Sequence, residues 1–365
     1  MSESSTESDS TDCLNVAFWN VQNLFDLDAS PIAAELGFTA MHGWDRRALR
    51  QKIDQMGQII RDLFDGRGPD LLGLCEIENV RLVELLLEAV GRDDLKLAVG
   101  PQSPEQNLDT ALIYSDRILE LDTAACADHQ FHWAYPTRDA FEGRFVVRST
   151  GSELTVIVTH CPSRSQTEPT DGLRWAAAHY LKQQLERILK LPRREFLQLR
   201  DSAMSAAQVQ ERWQRPVLLM GDFNDEPWHE NLTSGLHASY ALRNGPLTAS
   251  PAEKKMPSYR TYASMHVPLF NPMWRLLAQP DTGSTVRSDG PQPQKLFDQM
   301  LISVGLLGPD GKLMLQRNSD DIPVVDIVRP KSMTDEHDCP VAFDLETGRG
   351  VSDHFPIVST IRINP

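Results

Sequence analysis

Short apolar runs rich in β-branched residues recur along the 365-residue chain, at 14–20 (LNVAFWN), 70–76 (DLLGLCE), 110–115 (TALIYS), 143–149 (GRFVVRS), 154–160 (LTVIVTH), 216–222 (PVLLMGD), 297–303 (FDQMLIS) and 355–363 (FPIVSTIRI). Each is the length of a strand and is bounded by turn-forming residues. Between 45 and 64, Leu49, Ile53, Met56, Ile60 and Leu63 repeat at helical spacing and predict an amphipathic helix. Two more helices are expected at 173–189 and 194–213. Helices that interrupt paired strands irregularly predict two sheets packed face to face with helices outside. No internal repeat and no Gly/Ser linker divides the chain, so 13–365 reads as a single domain. The first twelve residues, MSESSTESDSTD, are polar and acidic and read as a disordered tail. A long loop insertion is expected around 245–296, where Pro, Ser, Gly, Arg and aromatic residues crowd together. Its first half, with Tyr259, Arg260, Tyr262 and Trp274, is a possible substrate surface.

Composition narrows the class. A hydrophobic content of 41% with 24% charged residues describes a soluble protein able to bury a large core. Neither a signal-peptide core nor a run of roughly 20 apolar residues is present, which predicts a cytoplasmic protein. The five cysteines form no CxxC pair, which argues against a disulfide framework or structural zinc and for free, buried thiols. A net charge of −15 is the opposite of the basic balance of a tight, general nucleic-acid binder.

The ends of the strands carry the chemistry. LNVAFWN finishes on Asn20, DLLGLCE on Glu76 and LTVIVTH on His160; PVLLMGD reaches Asp222 with Asn224 beyond it; Asp298 opens FDQMLIS, and Ser352, Asp353 and His354 precede the last strand. Taken singly, each has an ordinary explanation as a turn, cap or structural histidine. Ordinary turns, however, require no particular order of Asn, Glu, His, Asp-x-Asn, Asp and Asp-His. That order resembles the endonuclease/exonuclease/phosphatase superfamily of metal-dependent phosphoesterases, with FWNVQNLFD, LCEIEN, NLDTALIYS, TRDAFEGRFVV, THCPSR, GDFND, FDQMLIS and SDHFPI standing at its motifs. The resemblance spans about 14–363, and GDFND with SDHFP is its most specific pair.

The resemblance implies a DNase I-like, α+β fold: a four-layer α/β sandwich of two mostly antiparallel β-sheets flanked by helices. It implies Mg²⁺ or Mn²⁺ held by Asn20, Glu76 and Asp353, and catalytic roles for His160, Asp222, Asn224, Asp298 and His354. Arg138 and Arg164 would bind the substrate phosphate. The expected activity is phosphodiester hydrolysis, first as an endonuclease on DNA or RNA, with a phospholipid or inositol phosphate as the alternative substrate. A non-catalytic binding module would be expected to have lost one of these residues, and all are present. Two positions depart from the pattern: Gln22 stands where some members carry an acid, and Gln299 follows Asp298 where an aromatic or His is common. Asp225 and Glu226 read as ordinary members of the turn after Asn224.

Overall fold

A computed structural model describes residues 13–28, 30–131, 139–164, 170–199, 205–241, 258–279, 282–286, 294–308 and 311–365. The 1–12 tail and much of the 245–296 segment therefore lie outside the described residues. The strands form two large sheets. In the first, Cys13–Leu24 pairs parallel with Leu71–Asn79 and antiparallel with Ile357–Ile363, while Gln106–Ser115 continues antiparallel beyond Leu71–Asn79. In the second, Val217–Asp222 lies parallel to Ser152–His160 and antiparallel to Asp298–Ser303, and Ala140–Val147 pairs antiparallel with Ser152–His160.

Three separate apolar clusters show why four layers form. Along Cys13–Leu24, Leu14, Val16 and Phe18 belong to the core between the sheets, whereas Ala17, Trp19 and Val21 pack outward with helix Arg46–Gly66 and helix Val80–Val90. The same alternation runs through Val217–Asp222, where Leu218 and Met220 face inward and Val217 and Leu219 pack outward with helix Asp171–Leu189. Strands apolar on both faces must be covered on both faces, which makes the layers helix, sheet, sheet, helix. The expected DNase I-like, two-sheet α+β sandwich is the observed fold.

Helices Arg193–Leu199 and Ser205–Trp213 fall where one helix is expected over 194–213, and 200–204 lie outside the described residues. One expectation changes at the level of side chains. Tyr262 is not at a substrate surface: it is buried, its ring lies 4.5 Å from that of Phe196, and its hydroxyl accepts the Leu191 N–H. All five cysteines are free, four of them buried.

Candidate active site

Side-chain parity delivers most of the site. Along Ser152–His160, Leu154, Val156 and Val158 face the inter-sheet core, so His160 falls on the same face. Leu218 and Met220 likewise carry Asp222 inward, and Met300 and Ile302 carry Asp298. Register then sets these three side by side, because His160 pairs with Asp222 and Asp222 with Asp298. Gly221 permits the close approach, since a Cβ there would sit 2.1 Å from the Thr159 carbonyl oxygen. On the facing sheet Leu14, Val16 and Phe18 bring Asn20 to the same rim.

Glu76 breaks the parity. Leu72 and Leu74 point outward, and so does Ile77 three residues later, so one extra residue is inserted between Cys75 and Ile77. That residue is Glu76, held at φ 63°, and the bulge turns its carboxylate to the rim. Asp109 lies opposite on the next strand at φ 54°. Five of the ten non-glycine residues with positive φ among the described residues belong to this rim: Gln22, Asn23, Glu76, Asp109 and Asn224. Such conformations persist only where surrounding contacts over-determine them, and they gather at functional sites.

The polar contacts are specific. The Asn20 amide donates to both Glu76 (2.8 Å) and Asp222 (3.1 Å), while its oxygen accepts the Gln22 N–H. Asn20 thus meets the two carboxylates through its NH₂ group. Glu76 also accepts the Asn23 N–H at 2.8 Å. His354 Nδ1 lies 2.7 Å from Asp298, its Nε2 is 3.8 Å from Asp222, and its carbonyl accepts the Trp19 indole N–H. The Ser352 hydroxyl ties this segment to the Asn20 carbonyl at 2.7 Å. A second imidazole pair mirrors the first: His160 Nδ1 is 3.0 Å from both oxygens of Asp109, with Nε2 3.9 Å from Glu76. The Asn224 N–H caps Asp222 at 2.8 Å, and its side chain donates to the Cys161 carbonyl.

Burial and charge tune these groups. Burial, together with Asp353, lifts Glu76 above the usual carboxylate range against the pull of His160. Burial and Asp298 raise Asp222 as well. Burial would push His160 down, but Asp109 overrides it and holds the ring up to about 10. His354 is raised far above its ordinary value, with Asp298 outweighing burial. Beneath the rim lies Lys52, fully buried and donating to the Gln22 carbonyl; burial lowers it to about 8 although Glu76 and Asp353 pull it upward.

Of the residues expected from sequence, Asn20, Glu76, His160, Asp222, Asn224, Asp298 and His354 converge. Asp353 is half-buried and feels both Glu76 and Lys52. Arg138 lies outside the described residues. Arg164 points to the loop after Asp222, donating to the Asn224 carbonyl (2.7 Å) and to Asp225 (2.9 Å). Gln299 gains a physical role: it is buried, donates to the Asp225 carbonyl at 2.7 Å and accepts from Asn271. Asp225 is 1% exposed and is no ordinary turn residue. Sequence reasoning missed Asp109; its only signal was an acid directly before the run TALIYS, inside the strand Gln106–Ser115.

The donor set suits a hard divalent cation. One ligand atom each from Glu76, His160 and Asp222 lie within 4.8 Å of one another, as do those from Asp222, Asp298 and His354. Oxygen donors dominate, and buried carboxylates this close are costly without a cation. In addition, Asp298 Oδ1 is buried with no hydrogen-bond partner among the described residues.

Comparison with known proteins gives the family. The model of the endonuclease/exonuclease/phosphatase family matches residues 15–363. The chain belongs to that family. Solved structures of endonuclease/exonuclease/phosphatase proteins and their relatives share the fold at low identity. A mannosyl-6-phosphatase from Bacteroides thetaiotaomicron VPI-5482 superposes with a TM-score of 0.51 at 13% identity, covering 95% of this chain and 99% of that one. The catalytic domain of human Nocturnin, solved with a bound sulfate anion, gives 0.50 at 16% identity over 97% and 94%. Humanized D. rerio TDP2 gives 0.50 at 12% identity over 96% and 99%. No curated protein sequence matches the chain.

Proposed function

We propose that this family member hydrolyses a phosphoester with the help of Mg²⁺ or Mn²⁺. The observation that carries the reading is the pair of imidazole–carboxylate couples, His354–Asp298 and His160–Asp109, set on either side of Asp222. Glu76 and Asp353 would hold the cation, with Asn20 fixing the carboxylates. When bound, the cation neutralises charge on the phosphoryl oxygens and the leaving oxygen. Asp222 orients or deprotonates the attacking water, and Asn224 donates a hydrogen bond to the phosphoryl group. A protonated His354 faces the charge that develops on the phosphoryl oxygens. His160, held by Asp109, is placed to protonate the leaving oxygen. Arg138 is the proposed phosphate contact, whereas Arg164 is better placed to hold the Asn224 loop.

A small phosphorylated molecule fits the site better than a nucleic-acid strand. Beside the rim opens a cavity of about 330 Å³, walled by Glu35, Glu78, Asp109 and Asp139 with Phe25 and Ile32. Among the described residues no Lys or Arg lines it, while a strand would bring further phosphates against these acids. An uncharged, hydroxyl-bearing leaving group meets no such penalty. The decisive experiment incubates the protein with Mg²⁺ and duplex DNA, single-stranded DNA, RNA, a small aryl diester, sphingomyelin, an inositol phosphate and a hexose 6-phosphate, beside His354→Ala. The expected result is hydrolysis of a small phosphoester that the substitution abolishes. Faster cleavage of a nucleic acid would overturn the substrate reading, and an unaffected variant would overturn the role of His354.

A further inference from the structure

Behind the rim, Asp225 sits at the centre of a buried polar hub that the reaction scheme does not use. Its carboxylate receives Arg164 at 2.9 Å, the Asn231 amide at 2.6 Å, an ion pair with Arg174 at 3.0 Å and His229 at 3.5 Å. Arg174 is itself buried and also donates to Thr170. The group Asp171, Asp225 and His229 could in principle hold a metal, but two guanidinium groups already meet the Asp225 charge. Gln299 fastens the backbone from the other side by donating to the Asp225 carbonyl. Arg164 closes the arrangement as a clip, one nitrogen on the Asn224 carbonyl and another on the Asp225 carboxylate, with its guanidinium 5.0 Å from the Phe297 ring.

The partners come from the elements that carry the reacting groups. Arg164 lies four residues after His160, Gln299 directly follows Asp298, and Asp225 directly follows Asn224. Asn224 itself is held in the left-handed region at φ 51°, with its N–H on Asp222. An Asn tolerates that conformation alone, but a free loop would sample others.

We infer that Asp225 is a positioning residue: with Arg164 and Arg174 on its carboxylate and Gln299 on its carbonyl, it locks the 224–226 backbone so that the Asn224 amide keeps its working orientation. Arg164 belongs to this clip. A displacement of about 1 Å in such a group costs on the order of 100-fold in rate. The inference rests on the proposed phosphoester chemistry for its kinetic consequence, not for its geometry.

Two variants test it, Asp225→Asn and the charge-neutral Gln299→Met, the latter guarding against misfolding of the former. On a small phosphoester with Mg²⁺, Asp225→Asn should lower kcat about 100-fold with KM changed less than threefold, and Gln299→Met should lower it less, in the same direction. The Mg²⁺-induced rise in Tm should be kept by both, because Glu76 lies on the other sheet and Asp353 on the segment that leads into Ile357–Ile363. Combined with Asn224→Ala, Asp225→Asn should cause no further loss, since it acts through that residue. Multiplying effects in the double variant, or full kcat in both single variants, would overturn the inference. A readout independent of activity is the ¹⁵N side-chain amide resonance of Asn224, assigned by its loss in Asn224→Ala. It should shift in both variants; an unmoved resonance overturns the positioning role even where the protein hydrolyses nothing, the outcome that defeats the phosphoester reading instead.

Discussion

Removing the charge of Glu76 should stabilise the metal-free protein and abolish its response to Mg²⁺. Ligand atoms of half-buried Glu76 and buried Asp222 lie within 4.8 Å of each other. Two unit charges at that separation repel by roughly 3.5 kcal/mol at an effective dielectric near 20. His160 and Lys52 offset part of this, yet burial still leaves the Glu76 carboxylate above its usual range, so the ionised form is disfavoured in the fold. Glu76→Gln removes the repulsion and sacrifices part of two hydrogen bonds, from Asn20 and Asn23, which costs about 1–2 kcal/mol. The substitution also gives up the attraction of His160, so the balance is a small gain, below about 1 kcal/mol, whose sign follows from the raised Glu76 carboxyl, and it is read as a Tm slightly above wild type after metal stripping. Mg²⁺ at 100 times its dissociation constant adds about 2.7 kcal/mol to the wild type, a rise of roughly 3–4 °C for a chain of this length. Differential scanning fluorimetry on stripped protein, with and without Mg²⁺, measures both quantities. A stripped variant less stable than wild type refutes the electrostatic reasoning, and a variant that keeps the full Mg²⁺ shift refutes the assignment of Glu76.

Two further substitutions probe other parts of the molecule. Asp109→Asn deprives His160 of its partner, and if His160 protonates the leaving oxygen, kcat should drop about 100-fold or more for an alkyl ester but little for a nitrophenyl ester; equal losses on both would remove His160 from that role. Asp94 is buried, and although burial opposes it, the Arg92 and Ser115 hydrogen bonds depress its carboxyl to about 2. A depressed carboxylate contributes stability that is present above its unfolded value and lost as pH falls toward the folded one, so Asp94→Asn should cost about 2 kcal/mol at pH 7. In urea unfolding at pH 7, 5 and 3 that deficit should shrink at the lowest pH, and a constant deficit would rule out ionisation as its source.

The layers were legible in the sequence because strands apolar on both faces leave continuous runs, and a run such as Val217 to Met220 admits few other readings. Parity then made the strand-end residues legible. His160, Asp222 and Asp298 each continue the inward series of their strand, so locating the strand also locates the side chain. Tyr262 was misplaced because a sequence rich in Pro, Ser and Arg conceals which aromatic ring turns inward.

What stayed hidden has one physical cause: contacts made across elements leave no periodic trace. Glu76 owes its direction to a bulge, and an extra residue in one strand is invisible until its neighbours are paired. Asp109 is the partner of His160 only because two strands from different sheets end at the same rim. Asp225 is the clearest case. In sequence it is one more acid in a polar turn, yet in the fold it is 1% exposed and meets two arginines that are 61 and 51 residues away. Burying a carboxylate is expensive unless every oxygen is met, so a fold retains one only where replacement would cost more than burial. Asp225 and Asp222 are buried with opposite outcomes: arginines from within the chain meet the Asp225 charge at hydrogen-bond distance, whereas the imidazoles nearest Glu76 and Asp222 stand 3.8–3.9 Å away and leave both carboxyls above their usual range, the arrangement expected where a cation is to be admitted.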